Sequence, residues 1–307
     1  MQLLASFAMR GRSQSVMLTT VLAMLSLLLP PLNILSSSVV ALVTLRNGPA
    51  EGGLVLVLAG VASGLLAWLT LGQILPMAGF LLLMWLPVWL LSLLLRNSRS
   101  LALALVGALG LGLLVIAVQF MQTQDLAAAW RELLEPFAQS LTEAQLIDAA
   151  QQEELLGVMA YWMPGVTAAG YFLQSMLALL LARWWQAVLY NPGGFRSEFH
   201  SLRMHRAVAA ITLLVLLLGM FLGVGESGFW DYLVMLLLAG WFLQGLAVVH
   251  GIVGKVGASV GWLVGMYCLV LLVMPQAVTV LAAAGFADAW IDFRARLRPR
   301  DTNSGTR

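Results

Sequence analysis

Charge is what this chain has least of. Only 10% of its 307 residues are charged and 61% are hydrophobic, giving a mean hydropathy of +0.92. Soluble domains carry about 25% charged residues, so this composition excludes a water-facing globule and requires lipid as solvent. Cysteine is nearly absent. Cys268 stands alone in an apolar run, which excludes a disulfide framework and a Cys-based metal site. No G-x-x-x-x-G-K-[ST] occurs, so the chain is not itself a P-loop ATPase. No internal repeat or low-complexity tract is present, and no carboxylate sits at the middle of an apolar run, which counts against a proton- or sodium-driven pump.

What is present is a series of apolar runs. A spanning helix needs about 20 apolar residues, and candidate spans cover 16–32, 33–45, 54–73, 76–95, 101–121, 158–189, 207–223, 231–250, 258–274 and 276–290. Pro30-Pro31 and Pro275 mark breaks between runs. The expected fold is all-α: one polytopic transmembrane bundle over residues 1–299 with about eight to ten spans and an amphipathic helical segment outside the membrane. Eleven Trp and 29 Gly suit that class.

Charge placement sets the expected orientation. Arg10, Arg12, Arg46, Arg96, Arg99, the 191–206 loop and the tail with Arg294, Arg296, Arg298 and Arg300 favour the cytoplasmic side. Ten crossings satisfy all of them and place both termini in the cytoplasm of a bacterial inner membrane. The first apolar run resembles a signal anchor without an A-x-A-like site, so no cleavage is expected. Residues 124–157 are acidic and belong outside. Leu126, Trp130, Leu133, Leu134 and Phe137 recur there at helical spacing. Pro136 should end or bend that helix, and Thr142 to Gln145 reads as a capping box opening a second helix through about residue 155. The segment reads either as a lid on the bundle or as an outer docking site. The tail 300–307 is polar and expected to be disordered.

Each candidate for chemistry has a plainer alternative. The interior amides Asn33, Gln119, Gln174 and Gln244 suit a small uncharged solute, and equally suit hydrogen bonding between helices. Gly60/Gly64, Gly219/Gly223 and Gly257/Gly261/Gly265 repeat four apart and favour close helix packing. Ser15, Thr19 and Ala23 form a weaker stripe on the first spanning helix that could serve a partner. Arg183, beside Trp184 and Trp185, reads as an interfacial anchor. Gly257 to Gly261 matches G-x-S-x-G, but Ser259 opens a spanning helix where a hydrolase needs a strand-to-helix elbow. His200 and His205 are five apart, off the helical register of paired ligands. No catalytic residue, metal, cofactor or nucleic-acid partner is expected.

The most distinctive stretch follows Tyr190. Asn191-Pro192-Gly193-Gly194 is a strong turn and helix stop. A short helix with Phe195, Phe199 and Leu202 on one side and Arg196, His200 and Arg203 around them follows. It reads as a basic amphipathic helix on anionic lipid, or as a docking surface for a cytoplasmic or membrane protein partner.

The motif Asn191-Pro192-Gly193-Gly194-Phe195-Arg196-x-Glu198-Phe199-x-x-Leu202-Arg203 resembles the YybS-like family of bacterial membrane proteins. So do Gln244-Gly245-Leu246-Ala247 with His250, Gly285-Phe286-Ala287-Asp288 to Phe293-Arg294, Pro31-Leu32, and Leu45-Arg46-Asn47-Gly48. That family implies no established activity. More remotely, the first half is similar to the substrate-binding subunits of energy-coupling-factor vitamin transporters and to the rod-shape protein MreD. The first similarity implies a solute-binding subunit energised by a separate module that docks on a small-residue stripe, here approximated by Ser15/Thr19/Ala23. The second implies a non-transporting scaffold that recruits envelope or cytoplasmic partners.

Overall fold

The computed structural model describes residues 2–123, 125–222 and 228–297. Gly223, Glu226 and the tail from Arg298 onward, with the segment 300–307, lie outside the described residues. Among the described residues every regular element is helical. The elements are α1 (Gln2–Ala8), α2 (Arg12–Ser26), α3 (Leu32–Asn47), α4 (Pro49–Leu71), α5 (Leu75–Ser98, with a wide-turned stretch Gly79–Trp85), α6 (Leu101–Gln122) and α7 (Leu126–Glu143). They continue as α8 (Ala149–Tyr190), α9 (Gly194–His200), α10 (Arg206–Leu222), α11 (Phe229–Val256), α12 (Gly261–Leu272), α13 (Met274–Ile291) and α14 (Phe293–Arg296).

Each apolar run becomes one helix, because a segment without water must satisfy its backbone groups internally. Among the described residues, α4, α5, α6, α8, α11 and α13 are long and apolar enough to cross a membrane, whereas α3, α10 and α12 are shorter. The chain is a multi-pass helical membrane protein. Proline and glycine punctuate it as their backbones demand. Pro30 and Pro31 lie in the turn between α2 and α3, and Pro49 starts α4 behind Gly48 at φ 106°. Gly72 ends α4 at φ 68°, and Pro275 occupies the first turn of α13.

Two helices organise the interior. α3 is buried from Ser36 through Leu45, and α8 packs beside it while also meeting α6, α7 and α11. Small hydroxyls join the helices: Ser36 Oγ donates to the Thr19 carbonyl (2.8 Å) and accepts from Trp85 Nε1 (3.0 Å), and Ser38 Oγ donates to the Ala178 carbonyl (3.0 Å). Ser15, Thr19 and Ala23 are therefore turned into the bundle and buried. This corrects the expectation of a partner stripe: the α2 face that carries them already packs on α3 and α4.

Glycine allows the closest crossings. A Cβ at Gly60 or Gly64 on α4 would stand 2.7 Å from Leu81 Cδ1 or 2.5 Å from Met77 Sδ on α5. Gly219 is buried within α10. The run Gly257/Gly261/Gly265 is not a packing stripe. Gly257 ends α11 in the left-handed conformation (φ 64°), Gly261 opens α12 beside Ser259, and Gly265 faces open space. Among the described glycines, backbone meets backbone most closely where α11 crosses α13. A Cβ at Gly245 would lie 2.5 Å from the Leu281 carbonyl carbon, and one at Gly285 would lie 2.6 Å from the Gly245 nitrogen.

The acidic segment departs from expectation at its second helix. α7 runs through Pro136 to Glu143 and packs along α8, which holds it together where proline removes one backbone bond. Thr142 lies inside α7 with its hydroxyl on the Ala138 carbonyl and Gln152 Oε1, so it cannot cap. The capping box forms at Asp148 and Gln151 (2.8 and 2.9 Å). The helix it opens does not end near residue 155 but continues for 42 residues. At 1.5 Å per residue such a helix is about 63 Å long, about twice the hydrocarbon thickness. Its first turns therefore stand beyond the bundle and carry α7, where Arg131 pairs with Glu153.

The opposite end gathers the arginines. Arg12 at the start of α2 meets Glu51 at the start of α4 (2.6 Å). Arg96 at the end of α5 donates to the Leu45 carbonyl at the end of α3 (2.5 Å), and Gln186 near the end of α8 donates to the same carbonyl. Arg46 lies 4.0 Å over the Tyr190 ring. The segment 191–206 and the ends of α11 and α13 complete that end.

Candidate functional site

The site is built where the chain leaves α8. Gly193, at φ 86°, turns the backbone, and the Gly194 amide donates to the Asn191 carbonyl (3.0 Å). This starts α9. Phe195 and Phe199 stack at 5.8 Å, and Phe199 meets the His250 ring edge-on at 5.5 Å. Leu202 and Met204 then bury beneath the loop. Arg183 reaches α9 with both ends of its guanidinium on Glu198, and also donates to Gln186. It is a half-buried clamp that holds α9 to α8.

Gln244 pins the loop from the other side. It is fully buried, accepts from the Met204 amide and donates to the Gly285 carbonyl, both at 2.7 Å. The site thus hangs on the same α11–α13 crossing that the glycines permit.

The C-terminal end of α13 supplies the remaining wall. Arg203 pairs with Asp292 (2.5 Å) and donates to the Ala289 carbonyl. Arg294 pairs with the fully buried Asp288 (2.6 Å) and donates to the His200 carbonyl (2.7 Å). Lys255 donates to the Arg294 carbonyl (2.5 Å). These groups enclose a cleft of about 840 Å³ lined by Arg196, His200, Arg203, Lys255, Asp292 and Arg294, with Gly251 and Gly254 at its α11 side. Those glycines let α9 lie close on α11: a Cβ at Gly251 would be 2.8 Å from the His200 carbonyl oxygen, and one at Gly254 would be 2.7 Å from His200 Cε1 and 3.4 Å from Arg196 Nη2.

The electrostatics are asymmetric. Asp292, which lines the cleft, and Asp288, buried outside its lining, are each taken by an arginine. Arg196 is exposed, and among the described residues neither it nor Lys255 has a carboxylate partner. His200 has its pKa held below the ordinary imidazole value, first by burial and then by its neighbours Arg196, His250 and Arg294. The cleft is an uncompensated cationic concavity, chemically suited to an anion.

A second hollow of about 710 Å³ adjoins it between α8, α9, α11 and the start of α12. It is apolar except at the end where Arg196, His200 and His250 stand, and beside Tyr267. Two further hollows are almost wholly apolar: about 970 Å³ between α11, α12 and α13, and about 250 Å³ around Trp241 and Phe286.

Arg196, Phe199, His200 and Arg203 are thus brought together at one site. The amides are not. Gln119 accepts from Trp130 Nε1 and donates to the Pro164 carbonyl near the acidic end. Asn33 and Gln174 both turn their amide nitrogens to Met84 Sδ (2.7 Å each), leaving Asn33 Oδ1 buried without a partner. None of these four amides lines the hollows described above. Ser259 is exposed, and its hydroxyl accepts from the Gly261 amide in the turn before α12. His205 Nδ1 accepts from the Ala207 amide, and among the described residues no cluster of three metal-ligating side chains exists. Residues the sequence reading did not assign to the site are Lys255, Arg294, Asp288 and Asp292. The available signal was an acid pair inside an otherwise basic C-terminal stretch. Comparison with protein-family models, with curated proteins and with solved structures gives no match to this chain.

Proposed function

We propose that this protein is a non-transporting membrane binding module whose working surface is the basic cleft, and that the cleft takes an anionic group. The observation that carries this is Arg196: an exposed guanidinium without a carboxylate, set over a glycine floor beside Lys255 and His200. Basic pockets at the ends of spanning helices favour anionic headgroups and acidic partners. We place this end in the cytoplasm, because it holds the arginines and cytoplasmic loops carry the excess of Arg and Lys. Kinship with the YybS-like family, on the Asn191 to Arg203 motif, is part of the same proposal, as is a role without catalysis. A solute-binding transporter subunit rests on remote resemblance alone. The amides that such a subunit would offer are occupied by Trp130, Met84, Met204 and Gly285, and the stripe that would meet its coupling partner is buried.

The test is ligand-dependent stability of the purified full chain in neutral detergent. A ligand that binds only the folded state raises stability by about 2.7 kcal/mol at a hundredfold excess over Kd. Inorganic phosphate, glycerol phosphate and a short-chain phosphatidylglycerol are titrated against wild type and Arg196→Glu. At least one should raise the wild-type melting temperature and lose that effect in the variant. Equal responses of the two proteins to every anion would overturn the reading.

A further inference from the structure

Resting on that reading of the cleft, we propose that its ligand is an anionic lipid taken from the bilayer, with the phosphate in the basic cleft and an acyl chain in the adjoining apolar trough. The two hollows adjoin, since Gly193, Arg196, His200 and Gly254 line both. Polarity changes from one to the other in the order a lipid requires. The cleft end holds Arg196 and Lys255, which neutralise a phosphate; the trough beyond runs along Leu180, Val188, Leu246 and Val253. A soluble anion would fill the first part and leave the second empty.

Access also points to the membrane. Leu177 and Trp184 on α8 and Val260 and Tyr267 around α12 line the trough and are each exposed. They stand on the flank that an apolar helix bundle turns toward acyl chains, so the trough opens sideways into lipid while the cleft opens at the bundle's end. Basic pockets between spanning helices hold lipid headgroups by the same combination. A phosphodiester gives two oxygens for the Arg196 fork and accepts from Lys255 as a charge-assisted bond. The site selects charge at the mouth and chain length in the trough.

The full chain is reconstituted in nanodiscs of phosphatidylcholine, and a fluorescent phosphatidylglycerol is titrated in. Binding should exceed that of a phosphatidylcholine analogue. Each cation near an anionic lipid contributes about a fivefold preference, so Arg196→Ala should lower affinity by about fivefold and Arg196→Glu by more. Affinity should rise with chain length from glycerol phosphate through short-chain to long-chain phosphatidylglycerol. Val260→Trp and Leu177→Trp narrow the trough at exposed positions and should weaken the long-chain ligand while leaving glycerol phosphate unaffected. If glycerol phosphate binds as tightly as the lipid, or if neither tryptophan matters, the lipid proposal is overturned and the anion-binding reading stands. If no anion prefers wild type over Arg196→Glu, both fall. Tighter binding of an acidic peptide than of lipid, sensitive to Arg196 but not to the trough, also overturns the lipid.

Discussion

Replacing Gly245 by alanine should strike the fold and the cleft together. The added Cβ would stand 2.5 Å from the Leu281 carbonyl carbon, against ordinary contact from 3.4 Å. The obstacle is helix backbone, so α13 must retreat by about 1 Å or α11 must bend. Overpacking of this kind costs about 1–3 kcal/mol. The retreat would also stretch the 2.7 Å bond from Gln244 to the Gly285 carbonyl, and interhelical bonds in membranes contribute about 0.6–1.7 kcal/mol. The combined cost is about 2–5 kcal/mol. Gly60→Ala meets only the mobile end of Leu81 and should cost under about 1 kcal/mol. Gly265→Ala faces open space and serves as the control. The assay is unfolding in mixed micelles followed by Trp fluorescence. A Gly245→Ala protein no less stable than Gly265→Ala would refute the packing argument. Because Gln244 also holds the Met204 amide, Gly245→Ala should weaken ligand binding at the cleft.

Three further outcomes follow from the same geometry. Asp288→Asn leaves Arg294 without its buried partner; loss of one member of a buried pair costs about 3–5 kcal/mol, read as a drop in melting temperature that Asp292→Asn, half-exposed, should not match. Asp148→Ala removes one half of a capping box and should cost about 1 kcal/mol, seen as faster amide exchange over residues 149–153 with no change at the cleft. His200 faces Arg196 on its own helix, His250 and Lys255 on α11, and Arg294 and Asp292 from the C-terminal side. Its pKa is lowered in the folded state, so the unfolded chain takes up the proton first. Stability is therefore full above about pH 6.5 and falls as pH drops through the folded value. A bound anion favours the protonated ring, so anion affinity should strengthen over the same fall in pH, and His200→Gln should flatten both profiles.

Much of this architecture is legible in the chain because lipid leaves few choices. A long apolar run must be a helix, and Pro30-Pro31, Gly72 and Pro275 stop one for reasons local to their own backbones. The Asn191 to Gly194 turn and the short helix after it are local in the same sense. What the sequence does not reveal is partnership across distance. Arg203 and Asp292, or Arg294 and Asp288, are simply charges near a helix end until the fold pairs them. Ser15, Thr19 and Ala23 form a stripe of small residues whether that stripe faces a partner or α3. The capping contest shows the same limit on a small scale: Thr142 and Asp148 are both good caps, and packing of α7 on α8 keeps Thr142 inside its helix. Gly245 and Gly285 lie forty residues apart on different helices, so four-residue spacing within one helix could not find them.

Purification of the protein from native membranes in mild detergent, with mass spectrometry of what accompanies it, tests the central claim most directly. A binding module with a cationic cleft should retain an anionic lipid near one per chain, should lose it in Arg196→Glu, and should bring no ATPase. Stoichiometric recovery of an ATPase pair and a coupling membrane subunit, with lipid content unchanged by Arg196→Glu, would contradict it.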